Sequence, residues 1–352
     1  PGLFKKIPHL LFSKDSPLSV DPVYALSHPL WMIKFLNHCR PDKVKTIIQS
    51  LGALLRHTAA GLDPLIEETK ASHLFKQHGC LYVYGSQQAH DSAYPYNLAR
   101  RENGVEFDWL NSDEIKELEP ALTANFYSGL FYHQARHVVN PKQLVLHFYH
   151  HFLASGGAYK RSAVKEVEQS SRTLTLEGGD TLVADKVVIA AGAFSKQIKN
   201  TGVADLPLDT ERGYHVQFSG KQALLQRPVG WAEAGLYATP TNEGLRFAGT
   251  VEIAGLNKPA GQRNINYLTD KARQMFALEE APQQTWLGFR PTMPDALPVI
   301  GHSTLSPHIL YAFGHQHIGL TLAGITGKLI AEIVAGTTTS VDVEPFSPSR
   351  FK

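Results

Sequence analysis

The chain has 352 residues, 43% of them hydrophobic and 19% charged, enough for two domains or for two lobes sharing one interleaved chain. Its 34 Lys and Arg against 32 Asp and Glu leave a net charge of +2, which gives no ground for a nucleic-acid partner. Cys39 and Cys80 are the two cysteines; they match no metal or redox spacing and point to a reducing, cytoplasmic compartment without disulfides.

The opening PGLFKKIPHLLFSKDSPLS is basic and apolar, but its prolines and the lack of a small-residue cleavage site argue against a signal peptide. It begins inside what reads as a loop, so further residues are expected ahead of Pro1. No run reaches the roughly 18 apolar residues of a membrane-spanning helix. His28-Pro29 precedes Leu30, Trp31, Ile33, Phe35 and Leu36, and Pro41-Asp42 precedes Val44, Ile47, Ile48, Leu51, Leu54 and Leu55. Spacings of three and four predict helices with one apolar stripe, expected to pack on a core. The second reading of that stripe is a peripheral contact with the inner membrane face through Trp31, Lys34 and Phe35.

CLYVYGS (80–86) reads as a strand and NSDEIKELEPAL (111–122) as a helix capped at Ser112 and stopped by Pro120, with Asp113 and Glu114 suiting its first turn. In HVVNPKQLVLHFYHHFLASGG, Asn140 is the N-cap, Pro141 the first helical residue and Gly156 or Gly157 the stop. Strands follow over 163–167 and 173–176, then a Gly-Gly-Asp turn and a strand over 181–193. The VVIAA run of the latter predicts burial on both faces in a central parallel sheet, and so an α/β nucleotide-binding lobe. Over 205–285, alternation at 213–220, 235–241 and 244–253 predicts an antiparallel sheet, followed by a helix over 266–278. From Trp286 come a proline-rich loop, a strand over 308–314 and a helix through Val334, stopped by Gly336.

Three segments carry candidate chemistry. VVIAAGAFSKQI (187–198) ends a strand in small residues, where backbone approaches something closely. WLGFRPTMPDALPVIG (286–301) places Arg290 on a proline-bounded loop. A guanidinium there either grips a carboxylate through two parallel hydrogen bonds or pairs with a structural acid such as Asp295. In ILYAFGHQHIGLTLAGITGKLIAEIVAG (309–336), a strand runs into Gly314–Gly319 and directly into a helix whose first N–H groups stabilise negative charge. Ala323, Gly324 and Gly327 give that helix a small-residue face. His315 and His317 are joined by no carboxylate or thiol pattern, so no metal is expected; His147, His150 and His151 read as a helix surface.

In this order, the NP-helix-GG unit, the V-x-x-V strand, VVIAAGA, GFRPTMPDALPVIG and YAFGHQHIGLTLAGITGKLIAEI resemble the FAD-dependent D-amino-acid oxidase superfamily. Glycine oxidase, sarcosine oxidase and D-amino-acid dehydrogenase belong to it. WMIKFLNHCRPDKV and HVVNP are most similar to the dehydrogenase branch, and the resemblance spans essentially the whole chain. It implies a two-lobe α/β (α+β) fold. An FAD-binding, Rossmann-like lobe over 137–204 and 286–352 would be interleaved with an antiparallel-sheet substrate lobe over 1–136 and 205–285. The implied reaction is hydride transfer from Cα of an amine or D-amino acid to flavin N5, the imine then hydrolysing to an oxo acid and ammonia. The flavin carries that chemistry while the protein positions the substrate. The alternatives are a glycine- or sarcosine-type oxidase using oxygen and, in another class, a non-catalytic subunit without its own FAD. Quinone and oxygen both stand open as electron acceptor.

By the same resemblance Val164 contacts the adenine of FAD, while Ala191 and Gly192 lie beside its adenosine and pyrophosphate. Arg290 takes the substrate carboxylate, with Tyr214 as a second substrate-binding residue. Gly314, His315, Gln316, His317, Ile318, Gly319, Leu320 and Thr321 form the turn and helix start under the pyrimidine side of the isoalloxazine. The sequence departs from the family at its beginning, with no G-x-G-x-x-G turn and no acidic residue about 20 positions later. Gly156-Gly157 and Gly178-Gly179 read as ordinary turns. A unit of roughly 60–80 residues is expected before Pro1, or else a partner subunit completes the cofactor site.

Overall fold

The computed structural model describes residues 16–352; the reading of the chain's basic opening falls mainly on residues 1–15, outside the described residues. The elements that position the site run, in chain order, from helices α1 (Pro41–Leu55), α2 (Thr58–Glu68) and α3 (Pro141–Ala154) to strands β1 (Val164–Glu168) and β2 (Val187–Ile189). Strands β3 (Asp209–Phe218) and β4 (Gly244–Ile253), helix α4 (Gln262–Phe276) and strands β5 (Gln284–Thr292), β6 (Val299–His302) and β7 (Ile309–Phe313) follow. Helix α5 (Gly319–Ala335) is the last of them.

One lobe is a nine-stranded sheet. From its edge it runs β5–β3–β4, then Leu236–Thr241, Val229–Trp231, Cys80–Tyr84, Ser128–Tyr132 and Asp108–Asn111, with Leu18–Val20 added parallel to β4. Alternation puts Val216, Phe218, Leu245 and Phe247 on the inner face, where Leu268, Ala272 and Met275 of α4 cover them. The other lobe holds the short sheet β2–β7–β6, in which β2 and β7 are parallel and β6 is antiparallel. Ile309, Tyr311 and Phe313 of β7 pack with Val187, Ile189 and Val167 on one face. Leu310 packs with Leu54 of α1 and Leu322, Ile325 and Leu329 of α5 on the other.

Helix α5 meets α2 backbone to backbone. A Cβ on Gly324 would lie 2.5 Å from the Gly61 carbonyl carbon, and one on Gly61 would lie 2.3 Å from the Ile325 nitrogen. Gly324 thus does the close packing expected of the small-residue face, whereas a Cβ on Gly327 would meet nothing within 4 Å.

Several local expectations change. The stretch 181–193 is not one strand: Thr181–Val183 pairs in a separate three-stranded sheet, and β2 alone joins β7. β2 buries Val187 and Ile189 but leaves Val188 41% exposed, because α5 covers the β7 side of the sheet and not β2. Trp286–Thr292 is not a loop but part of β5, so a lobe boundary at 286 falls inside a strand of the large sheet. Helices α1 and α2 side with α5 rather than with the large sheet. The helix at 112–118 is capped by Asn111, whose Oδ1 accepts from Asp113 and Glu114 N–H at 2.9 and 3.0 Å. Trp31 is buried, its Nε1 donating to Pro207 O at 2.9 Å with Phe35 stacked on it. The aliphatic side chains left exposed there are Val23, Leu26, Leu30 and Ile33. Among the described residues no helix is long and apolar enough to cross a membrane.

Candidate active site

The site grows from one face of the β3–β5 pair. Antiparallel register sets Glu211 opposite Arg290, Gly213 opposite Gly288 and His215 opposite Trp286, and side chains directly opposite share a face. The two glycines clear the floor. The Arg290 side chain crosses Gly213, whose Cβ would sit 2.2 Å from the guanidinium carbon, and the Trp286 indole lies over Gly288, whose Cβ would sit 2.2 Å from Cη2.

Beyond Gly213 the guanidinium reaches β4 where its register slips. Arg212 faces Glu252 but Tyr214 faces Gly249, and Thr250 takes φ +57°. The slip turns two carbonyls toward the arginine, so Nη1 donates to Thr250 O at 2.9 Å and Nη2 to Gly249 O at 3.4 Å. These bonds use two of the five guanidinium N–H groups and fix the fork's plane. Burial lowers the Arg290 pKa and the Glu211 carboxylate partly offsets this; an arginine stays charged all the same.

At the far end the His215 ring stacks on Trp286, centroids 5.2 Å apart at 22°. Burial first, and Arg246 second, push the His215 pKa down to about 4, so the imidazole is neutral at ordinary pH. Arg290, Trp286, His215, Phe289, Ala248 and Gln316 line a pocket of about 200 Å³.

Gln316 comes from the turn after β7. Its N–H donates to Pro291 O at 3.0 Å and its Nε2 to Met293 O at 3.3 Å, which ties the turn to the exit of Arg290's strand. Gly314 takes φ +86° there, with Met293 Cγ 2.9 Å from where a Cβ would be. Gly192 takes φ +57° beyond β2, a Cβ there lying 4.0 Å from Pro291 Cγ. Ala191 and Gly192 therefore meet Gly314–Ile318 at the carboxyl ends of two parallel strands, the usual place for a cofactor in such sheets. Gly319, Leu320 and Thr321 open α5, and no side chain caps its N-terminus. That leaves its first N–H groups for an anionic or electron-rich partner. Two left-handed glycines and an uncapped helix start fit a flat, negatively charged group such as FAD.

The remaining predicted residues spread out. Val164 stands on β1, partly buried against the apolar core under β2 and β7. His315 turns inward, Nε2 at 2.9 Å from Thr326 Oγ1, and burial lowers its pKa to about 4. His317 turns the other way, Nε2 at 3.2 Å from Glu211 Oε2. Tyr214 contributes only backbone to the pocket wall. Its buried hydroxyl donates to Glu252 Oε2 at 2.6 Å and accepts from Gly261 N–H at 2.9 Å. Asp295 is not the partner of Arg290: it binds Arg350, Nε to Oδ2 at 2.6 Å. The residues that sequence reasoning passed over are Glu211, Gly213, His215, Trp286 and Gly288. Their signal is W-x-G-x-R at alternate positions, a strand pattern that clears space beside an arginine.

The DAO family model, described as FAD dependent oxidoreductase, matches residues 24–333. A D-amino-acid oxidase of Bradyrhizobium diazoefficiens is 33% identical over 359 residues, covering 100% of this chain and 85% of the relative. A D-amino acid dehydrogenase of Dechloromonas aromatica is 25% identical over 354 residues, covering 96% and 84%. Among solved structures, glycine oxidase from Geobacillus kaustophilus superposes with a TM-score of 0.74 at 24% identity, over 84% of this chain and 82% of that one. L-proline dehydrogenase from P. horikoshii gives 0.73 at 20%, over 85% and 82%.

Proposed function

This chain belongs to the DAO family of FAD-dependent oxidoreductases, and from that premise we propose that it oxidises the C–N bond of a D-amino acid. The single observation that carries the reading is Arg290, held flat over Gly213 by two carbonyls with further N–H groups left for a ligand carboxylate. That geometry suits bidentate recognition. The pocket volume of about 200 Å³ lies below the about 300–1,000 Å³ of sites for drug-sized ligands, which favours one free amino acid over a peptide. The D configuration is supported by the names of the two relatives, a D-amino-acid oxidase and a D-amino acid dehydrogenase.

FAD, when bound, supplies the acceptor for the hydride that leaves Cα. Gly192, Gly314 and the first N–H groups of α5 are the residues that would hold it. The chain's own work is orientation. Arg290 fixes the carboxylate, and the Glu211 carboxylate stands opposite it in register, 3.2 Å from His317 Nε2. Trp286 walls the pocket. Such positioning, rather than proton transfer by a side chain, is the contribution expected of a hydride-transfer site. The resulting imine hydrolyses in water to an oxo acid and ammonia, and oxygen or a quinone takes the electrons onward.

The test is anaerobic bleaching of the holoenzyme's flavin by paired D- and L-amino acids. D-enantiomers should bleach it at least about tenfold faster, and Arg290→Ala should raise the apparent KM for amino acids at least about tenfold while sparing amines without a carboxylate. Bleaching by glycine or sarcosine alone would replace this reading with the amine-oxidase one.

A further inference from the structure

We infer that the stacked pair Trp286–His215 is the side-chain subsite of this pocket, and that it selects amino acids with a flat apolar side chain, a single aromatic ring foremost. The inference rests on the proposed amino-acid oxidation and names the substrate class within it.

Gly213 and Gly288 are register partners, so their α-carbons are neighbours across the sheet. The guanidinium lies over the first and the benzo edge of the indole over the second. A carboxylate seated on Arg290 therefore brings its α-carbon, and the first atoms of the side chain, against the indole.

His215 backs that indole at 5.2 Å and fixes its plane, while Gly288 keeps the floor beneath it flat. Trp286 lines the pocket with its benzo edge over Gly288 and is 59% exposed, so it is not walled off by protein, and aromatic side chains gain from offset or edge contacts with an indole.

Charge points the same way. Among the residues lining this pocket, Arg290 is the one charged at neutral pH, His215 being held neutral by burial. A basic side chain placed at the indole would lie beside the guanidinium, and in a partly buried site that repulsion outweighs an indole's attraction for a cation. An acidic side chain would find no second cation among the lining residues. The volume of about 200 Å³ suits a single ring.

The experiment compares the holoenzyme with Trp286→Ala and Trp286→Phe. The first readout is kcat/KM for D-phenylalanine and D-alanine, with D-lysine and D-glutamate as charged competitors. The second is equilibrium binding of benzoate against acetate, followed by the flavin absorption spectrum. D-phenylalanine should be preferred among the four. Trp286→Ala should cut its kcat/KM at least about ten times more than that of D-alanine, and Trp286→Phe should recover most of the difference. Benzoate should bind more tightly than acetate, and that margin should shrink in Trp286→Ala. Equal losses for all substrates with an unchanged benzoate margin, or a charged D-amino acid as the best substrate, overturns the subsite and leaves the proposed reaction standing. If no D-amino acid bleaches the flavin while the benzoate margin still depends on Trp286, the subsite stands and the proposed reaction falls.

Discussion

The guanidinium of Arg290 lies on the α-carbon of Gly213, so close that even a methyl group there would come within 2.2 Å of its central carbon. The arginine reaches its two carbonyl anchors only because residue 213 has no side chain. Gly213→Ala is expected to lift the guanidinium from Gly249 O and Thr250 O and raise KM for amino acids by about tenfold or more, with little change in melting temperature. Gly213 sits in extended backbone, so strain in the main chain adds nothing. A KM near that of the unmodified protein would mean that Arg290 does not need this path.

Two half-buried histidines are expected to weaken the fold in acid. Burial lowers His315 and His215 from 6.5 to about 4 each. Between those values the unfolded chain binds more protons than the folded one, so stability rises with pH. Their contribution is complete above pH about 6.5 and is lost as pH falls toward 4, by about 3 kcal/mol per residue at most, less for the exposed part of each ring. Melting temperatures from pH 7 to 4.5 should fall more steeply for the natural protein than for a His215→Gln, His315→Gln double variant. Parallel curves would show that other groups dominate the acid transition.

Two glycines of α5 three positions apart should respond oppositely to one methyl group. Gly324→Ala drives a Cβ into the Gly61 backbone and should cost about 1–3 kcal/mol by overpacking. Gly327→Ala, with open space around it, should gain about 0.5–1 kcal/mol from helix propensity. Thermal or denaturant melts of the two variants read the sign directly.

Removing Arg350 should be costly because Asp295 is buried and would lose its cationic partner. The loss expected on breaking such a pair is about 3–5 kcal/mol, and the double variant Asp295→Asn, Arg350→Met should recover part of it. Since Asp295 also accepts from Leu297 N–H in the turn after Met293, flavin content is expected to drop in Arg350→Met. Calorimetry and flavin absorbance of the purified variants check both effects.

Where a local rule has one solution, the sequence could be read directly. Asn140 caps α3 with Pro141 behind it, and Gly336 ends α5 at φ +68°. Around Arg290 a strand replaces the expected proline-bounded loop, since Pro291 by itself reads as a strand breaker. β5 continues through it because β5 is the sheet's edge strand, where a missing N–H is tolerated. Asn111 and Ser112 are both good caps, and only the fold decides between them. Glu211 and His317 come together over more than 100 intervening residues, a pairing that no local pattern encodes. The inward turn of Tyr214 likewise depends on Glu252, which arrives on a different strand.

The contact of Gly61 with Gly324 also fixes an order of events in the cell. The turn that would cradle the flavin is steadied by α5, and α5 seats on a helix synthesised 263 residues earlier. At about 5–20 residues per second, some 13–50 s of translation separate the two halves of that seat. Throughout that interval the Gly61 face of α2 has no mate, although Leu62 and Ile66 can already pack on Leu74 and on Leu144 of α3. The flavin cradle becomes complete only once α5 has been made and has seated on α2, so loading of the cofactor is expected to follow the synthesis of α5.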